Sequence, residues 1–151
     1  MDIYLESRLA DSDFSFAEET WEKRVQTLLE ALEVPEQSEV SILFVGDEEI
    51  HELNRDYRGV DRPTDVLSFP QDGFPTAPDQ PLPLGDIVIS VPTARRQAAE
   101  LDQSLERELT FLVIHGLLHL TGMDHHEEGE AEAMYARQRE LLEKLEKEGK
   151  V

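Results

Sequence analysis

The chain has 151 residues, 39% hydrophobic and 32% charged, a formal net charge of −20 and no cysteine. That length suits one domain with its own core, spanning 1–151, and the absence of cysteine excludes disulfides and every cysteine-based zinc cluster. An acidic excess of this size repels nucleic acid at long range, so a nucleic-acid function would have to rest on a local basic patch.

The first residues, Met1 to Arg8, carry neither the basic nor the apolar run of a signal peptide, and no stretch is apolar enough to span a bilayer. The expectation is a cytoplasmic protein with no membrane partner. Ile3-Tyr4-Leu5 reads as a short first strand. From Phe16 to Leu32, apolar residues recur at helical spacing through Trp21, Val25, Leu28, Leu29 and Leu32. Glu39 to Val45 predicts a strand buried for much of its length. Gly46-Asp47 opens a helix through Ile50, Leu53 and Tyr57, with Asp47 as its candidate N-cap. Residues 58–65 are loop by composition, and Val66 to Phe69 form a third strand ended by Pro70. Five prolines between residues 70 and 84 predict a long loop. Asp86 to Val91 is a fourth strand, and Pro92 suits the first turn of a helix running toward Leu101. Asp102 or Ser104 caps a helix from about Leu105 to Thr121. That helix is apolar nearly all round, so it is central and buried. A last helix, about Glu127 to Lys147, is amphipathic through Ala133, Met134, Leu141, Leu142 and Leu145. The sum is an α+β fold: a small, mixed, four-stranded sheet with about five helices, the central one carrying a metal motif in zincin-like fashion.

The motif is His115-Gly116-Leu117-Leu118-His119-Leu120-Thr121-Gly122-Met123-Asp124-His125. His115 and His119 are four apart and share one helix face. Gly122 can end the helix, because glycine tolerates the left-handed conformation of a C-cap. The chain can then turn back and bring His125 toward the other two. Three imidazoles with no fourth protein ligand are the layout of a catalytic zinc site with an open position. The plainer alternative, core histidines satisfied by hydrogen bonds, leaves two imidazoles to be paired on a very apolar helix, at a cost of a few kcal/mol if they are not. His126 also adjoins the third position, and Asp124 can orient a ligand histidine. His51 reads as a solvated residue on a polar helix face. Zinc proteases of the His-Glu-x-x-His type place a glutamate base directly after the first histidine. Here that position is Gly116, which argues against peptide hydrolysis.

The chain resembles the YbeY endoribonucleases, a family of ribosomal RNA maturation factors. Residues 115–125 are similar to the family's histidine signature. The run 54–70, Asn-Arg-Asp-Tyr-Arg-Gly-Val-Asp-Arg-Pro-Thr-Asp-Val-Leu-Ser-Phe-Pro, is similar to its second motif, and Gly85-Asp86-Ile87-Val88-Ile89-Ser90 to its third. Two positions depart: Met123 stands where an aromatic residue is usual, and Val60 where a basic one is. The resemblance implies a single-strand-specific, zinc-dependent endoribonuclease acting in 16S ribosomal RNA 3′-end maturation and ribosome quality control. It implies one Zn²⁺ on His115, His119 and His125, with Arg58 as the catalytic arginine. Other divalent transition metals also suit a three-histidine site. Implied partners are single-stranded ribosomal RNA and the small ribosomal subunit with its proteins; an assembly GTPase is a further candidate. Arg58 suits the task, because a guanidinium can grip a phosphate bidentately. Its structural alternative is a pairing with Asp61, Asp65 or Asp86. Arg55, Arg62, Arg95 and Arg96 are candidates for the rest of a basic groove. Two other functions fit the sequence: a non-catalytic ribosome-assembly factor whose metal stabilises the fold, which the charge of −20 favours, and a metal-dependent hydrolase with another substrate.

Overall fold

The computed structural model describes residues 1–71, 79–122 and 128–151. Its elements run β1 (Asp2–Ser7), α1 (Glu18–Ala31), β2 (Ser38–Val45), α2 (Asp47–Arg58), β3 (Val66–Pro70), β4 (Leu82–Ser90), α3 (Val91–Glu100), α4 (Leu105–Leu120) and α5 (Glu128–Lys147). The strands make one sheet in the order β1-β2-β4-β3. β1, β2 and β4 are parallel, while β3 is antiparallel to β4 and forms an edge. The expected α+β class, with a four-stranded mixed sheet and five helices, is what the described residues form. No described helix is long and apolar enough to cross a membrane.

Strand alternation sorts the side chains onto two faces. On one face, Val40, Ile42, Phe44, Ile87 and Ile89 join residues of α1, α4 and α5 in the main core. On the other, Val45, Leu67 and Val88, with Leu43 and Phe69, pack beneath Ile50 and Leu53 of α2. The sheet therefore separates α2 from α4. Large side chains such as Trp21, Phe44, Ile42 and Leu117 are fully buried, each contributing roughly 1.5–3 kcal/mol. Two charged side chains, Arg24 and Glu108, are buried as well. The Arg24 guanidinium lies over the Trp21 ring, 4.5 Å from its centre, and donates to Glu106 at 2.7 Å and to the Lys150 carbonyl at 2.6 Å.

Two details differ from the sequence expectation, and one alternative is resolved. Asp47 does not cap α2; Gly46 holds that position, and Asp47 is the first helical residue. Its carboxylate instead accepts from Ser90 Oγ at 2.6 Å, Thr93 Oγ1 at 2.5 Å and Arg96 at 2.8 Å. Burial alone would push this carboxyl up, but those three donors outweigh it and hold its pKa below the usual value. β4 begins at Leu82, so the proline-rich loop is shorter than composition suggested. Its Pro83 lies beside the irregularity at Glu39/Val40, a place where a missing N–H is tolerated. At the start of α4, of the two caps read from the sequence it is Ser104 that accepts from Arg107 N.

Candidate metal centre

α4 is apolar because it is packed on nearly every side, and one glycine sets how closely. A Cβ on Gly116 would lie 2.8 Å from Ile87 Cδ1 and 2.9 Å from its Cγ2. Ile87 is β-branched and stiff, so it cannot readily yield. The residue that follows the first motif histidine is thus pressed against β4. One turn on, Leu120 reaches Gly85. That glycine has φ +139°, and a Cβ there would stand 2.3 Å from the Phe69 carbonyl oxygen and 2.8 Å from Leu120 Cδ2. Gly85→Ala is expected to destabilise the fold by at least about 2 kcal/mol, through backbone strain and a clash with a rigid carbonyl. Urea unfolding of the variant checks this.

The stripe left open to solvent carries the histidines. His115 and His119 are both half-buried. Their rings meet edge-on, with centres 4.6 Å apart, and the two Nε2 atoms stand 3.1 Å from each other. Two nitrogens this close need either a proton or a cation between them, since their lone pairs otherwise repel. The separation also suits two imidazoles each about 2.0–2.1 Å from a common ion at near-tetrahedral angles. The donor set therefore fits zinc. α4 ends at Leu120, and Gly122 follows with φ +99°, its N–H bonded to the His119 carbonyl at 3.2 Å. The glycine stop read from the sequence is present. His125, the expected third ligand, lies outside the described residues, as do Asp124 and His126. Among the described residues no group of three metal-ligating side chains occurs.

Gln138 was not singled out from the sequence. It projects from α5, is 4% exposed, and its amide lies 3.0 Å from His115 Nδ1. The signal was an amide at a core position of an amphipathic helix, four residues after Met134 and three before Leu141.

Arg58 is the last residue of α2 and is exposed. It pairs with none of Asp61, Asp65 and Asp86, the structural alternative raised for it. Asp61 pairs with His51 at 2.8 Å, while Asp65 accepts from Val66 N at 2.7 Å and Gln97 at 3.2 Å. His51 is thus half-buried and paired, not simply solvated. Buried Asn54 shapes the loop after α2: its side-chain amide donates to the Arg62 carbonyl at 2.9 Å, and its backbone carbonyl accepts from Val60 N at 3.2 Å. Gly59 completes the helix end in the left-handed conformation, φ 70°. Arg55 pairs with Asp56, Arg96 with Asp47, and Arg95 donates to the Asp13 carbonyl. These three are engaged within the fold.

No hydrogen bond or ion pair among the described residues joins Arg58 to the histidines. They share an end of the sheet, however. α2 starts beside Ser90, at the C-terminal end of β4, and finishes with Tyr57 stacked edge-on against Phe69, centres 5.4 Å apart. Phe69 pairs with Asp86 near the other end of β4. α4 finishes at Gly85 in the same region. Arg58 and His119 therefore stand at one end of the sheet, on opposite faces, with edge strand β3 between them.

Residues 6–146 match the family model described as Endoribonuclease YbeY. The chain is 49% identical over 142 residues to "Endoribonuclease YbeY" of Chloroflexus aurantiacus, covering 91% of this chain and 92% of the relative. It is 54% identical over 116 residues to the protein of the same name from Shouchella clausii, covering 72% of each. The solution structure of TM1509 from Thermotoga maritima superposes with a TM-score of 0.64 at 30% identity, covering 97% of this chain and 90% of that one.

Proposed function

Because the chain belongs to the YbeY endoribonuclease family, we propose that it is a metal-dependent endoribonuclease cutting single-stranded RNA at the sheet end shared by α2 and α4. The observation that carries the metal part is the 3.1 Å approach of His115 Nε2 to His119 Nε2. His115, His119 and His125 would hold one zinc, which when bound supplies Lewis acidity toward a phosphate oxygen. Arg58 would grip the scissile phosphate through its guanidinium fork and offset the charge that develops during cleavage. Among the described residues it has no carboxylate competing for it, and Arg62, on the loop that Asn54 shapes, shares that state. In a chain of net charge −20, an arginine without an acid partner is the local cation that phosphate binding requires. Tyr57 is 71% exposed yet braced by Phe69, which suits it to stack on an unpaired base. The substrate fitting these features is a single strand crossing β3. The cellular role we propose with it is 16S ribosomal RNA 3′-end maturation in the cytoplasm, in contact with the small subunit and its proteins.

A set of 5′-labelled oligonucleotides tests this. Single-stranded RNA is expected to be cut, and the same sequence as DNA or as an RNA duplex to survive. A chelator is expected to stop cleavage and added zinc to restore it. End-group analysis then identifies the nucleophile, since a cyclic phosphate marks attack by the 2′-hydroxyl. Cleavage that persists unchanged in chelator removes the metal from the reading, and equal cutting of DNA removes the RNA specificity.

A further inference from the structure

We infer that Gln138 is a positioning residue for the metal centre: by turning its side-chain amide over, it lets His115 exchange between a form that offers Nε2 to a metal and a form that holds a proton there. The inference rests on the reading of His115 and His119 as metal ligands.

A neutral imidazole carries one ring proton, and the partner of one nitrogen decides the state of the other. Gln138 and His119 address the two nitrogens of His115 separately, at 3.0 Å to Nδ1 and 3.1 Å to Nε2. With the amide nitrogen toward the ring, Gln138 donates and Nδ1 accepts. The proton then sits on Nε2 and is shared with His119 Nε2. With the amide oxygen toward the ring, Nδ1–H donates instead, and Nε2 carries a lone pair able to bind a metal. The two amide orientations occupy nearly the same space, and the terminal torsion that exchanges them is broad and roughly two-fold. Burial makes the choice matter, because an amide that is 4% exposed must find its partner within the protein.

An amide serves both states, because it carries a donor and an acceptor. A carboxylate accepts and never donates when ionised, so it would lock His115 in the metal-ready form. An aliphatic side chain would support neither. Gln138 thus sets zinc affinity below what a glutamate would give and leaves the centre able to load and unload. The amide comes from α5 and the histidines from α4, so the state of the metal is also felt where these helices pack.

The test uses the full chain, stripped of metal and then titrated with zinc against a fluorescent chelator, as wild type, Gln138→Glu and Gln138→Leu. Zinc affinity is expected to rise at least about tenfold in Gln138→Glu and to fall about 10–100-fold in Gln138→Leu. Imidazole ¹⁵N shifts are expected to put the His115 proton on Nε2 in stripped wild type and on Nδ1 after zinc is added. In stripped Gln138→Glu the proton is expected on Nδ1 from the start. Thermal unfolding shows whether Gln138→Leu is folded; if it is not, the glutamate variant and the wild-type shifts decide. Equal affinity in wild type and Gln138→Glu, or one unchanged tautomer in stripped and loaded wild type, overturns the role of Gln138. A wild type that binds no zinc overturns the metal reading itself, and this inference with it.

Discussion

His119→Ala protein is expected to purify with almost no zinc and to cleave single-stranded RNA at least about a hundredfold more slowly than wild type. The size follows from what lesser changes do. Loss of a residue that merely orients a ligand typically costs 10–100-fold in metal affinity or activity, and removing the ligand itself should exceed that. His119 is one half of the 3.1 Å Nε2 pair, so the variant removes one of the two facing nitrogens. A second readout does not depend on turnover. An ion that binds only the folded state stabilises it by about 2.7 kcal/mol at a hundred times its dissociation constant. Added zinc should therefore raise the unfolding midpoint of wild type and leave that of His119→Ala unmoved. His51→Ala is the control, since His51 lies on α2 and is engaged by Asp61, and it should keep both zinc and activity. If His119→Ala held a full equivalent of zinc and cut at the wild-type rate, the activity would belong to a contaminant and the metal to another site.

Arg58→Ala should separate chemistry from stability. Cleavage is expected to fall by about 10²–10³-fold, the loss typical of one charge-stabilising donor. Zinc content should not change. Arg58 is exposed, sits at the C-terminal end of α2 and makes no ion pair among the described residues. Its removal should cost the fold only its interaction with the helix dipole, within about 1 kcal/mol. Arg58→Lys should recover part of the rate, because it restores charge but not the planar fork. Measurement of kcat, zinc content and urea midpoint on the three proteins checks all of this. Wild-type kcat in Arg58→Ala would end the assignment.

What the sequence revealed and what it hid follow from the range of the interactions involved. The i, i+4 histidines, the buried character of α4 and the Gly122 stop are local properties, and each appears where the pattern put it. Gly116 was legible only as a missing glutamate. Its packing reason, Ile87, lies on another element nearly thirty residues back in the chain. Asp47 looked like a cap because aspartate before an apolar helix usually is one. Its real partners, Ser90, Thr93 and Arg96, are brought to it only by the return of the chain through β4. Gln138 was hidden because a polar residue on an amphipathic helix is ordinarily read as solvated. Prolines masked the start of β4, since a strand ladder usually rejects them.

The Asp47 cluster has a mechanical consequence. α2 is about 18 Å long, from twelve residues at 1.5 Å each. It is bolted at one end by three side-chain donors and braced at the other by Tyr57 on Phe69. A rod fixed at both ends cannot swing. The backbone that carries Arg58 should therefore stay put, and the guanidinium should search for phosphate by side-chain rotation alone, on the picosecond-to-nanosecond scale, without waiting for slower loop movement.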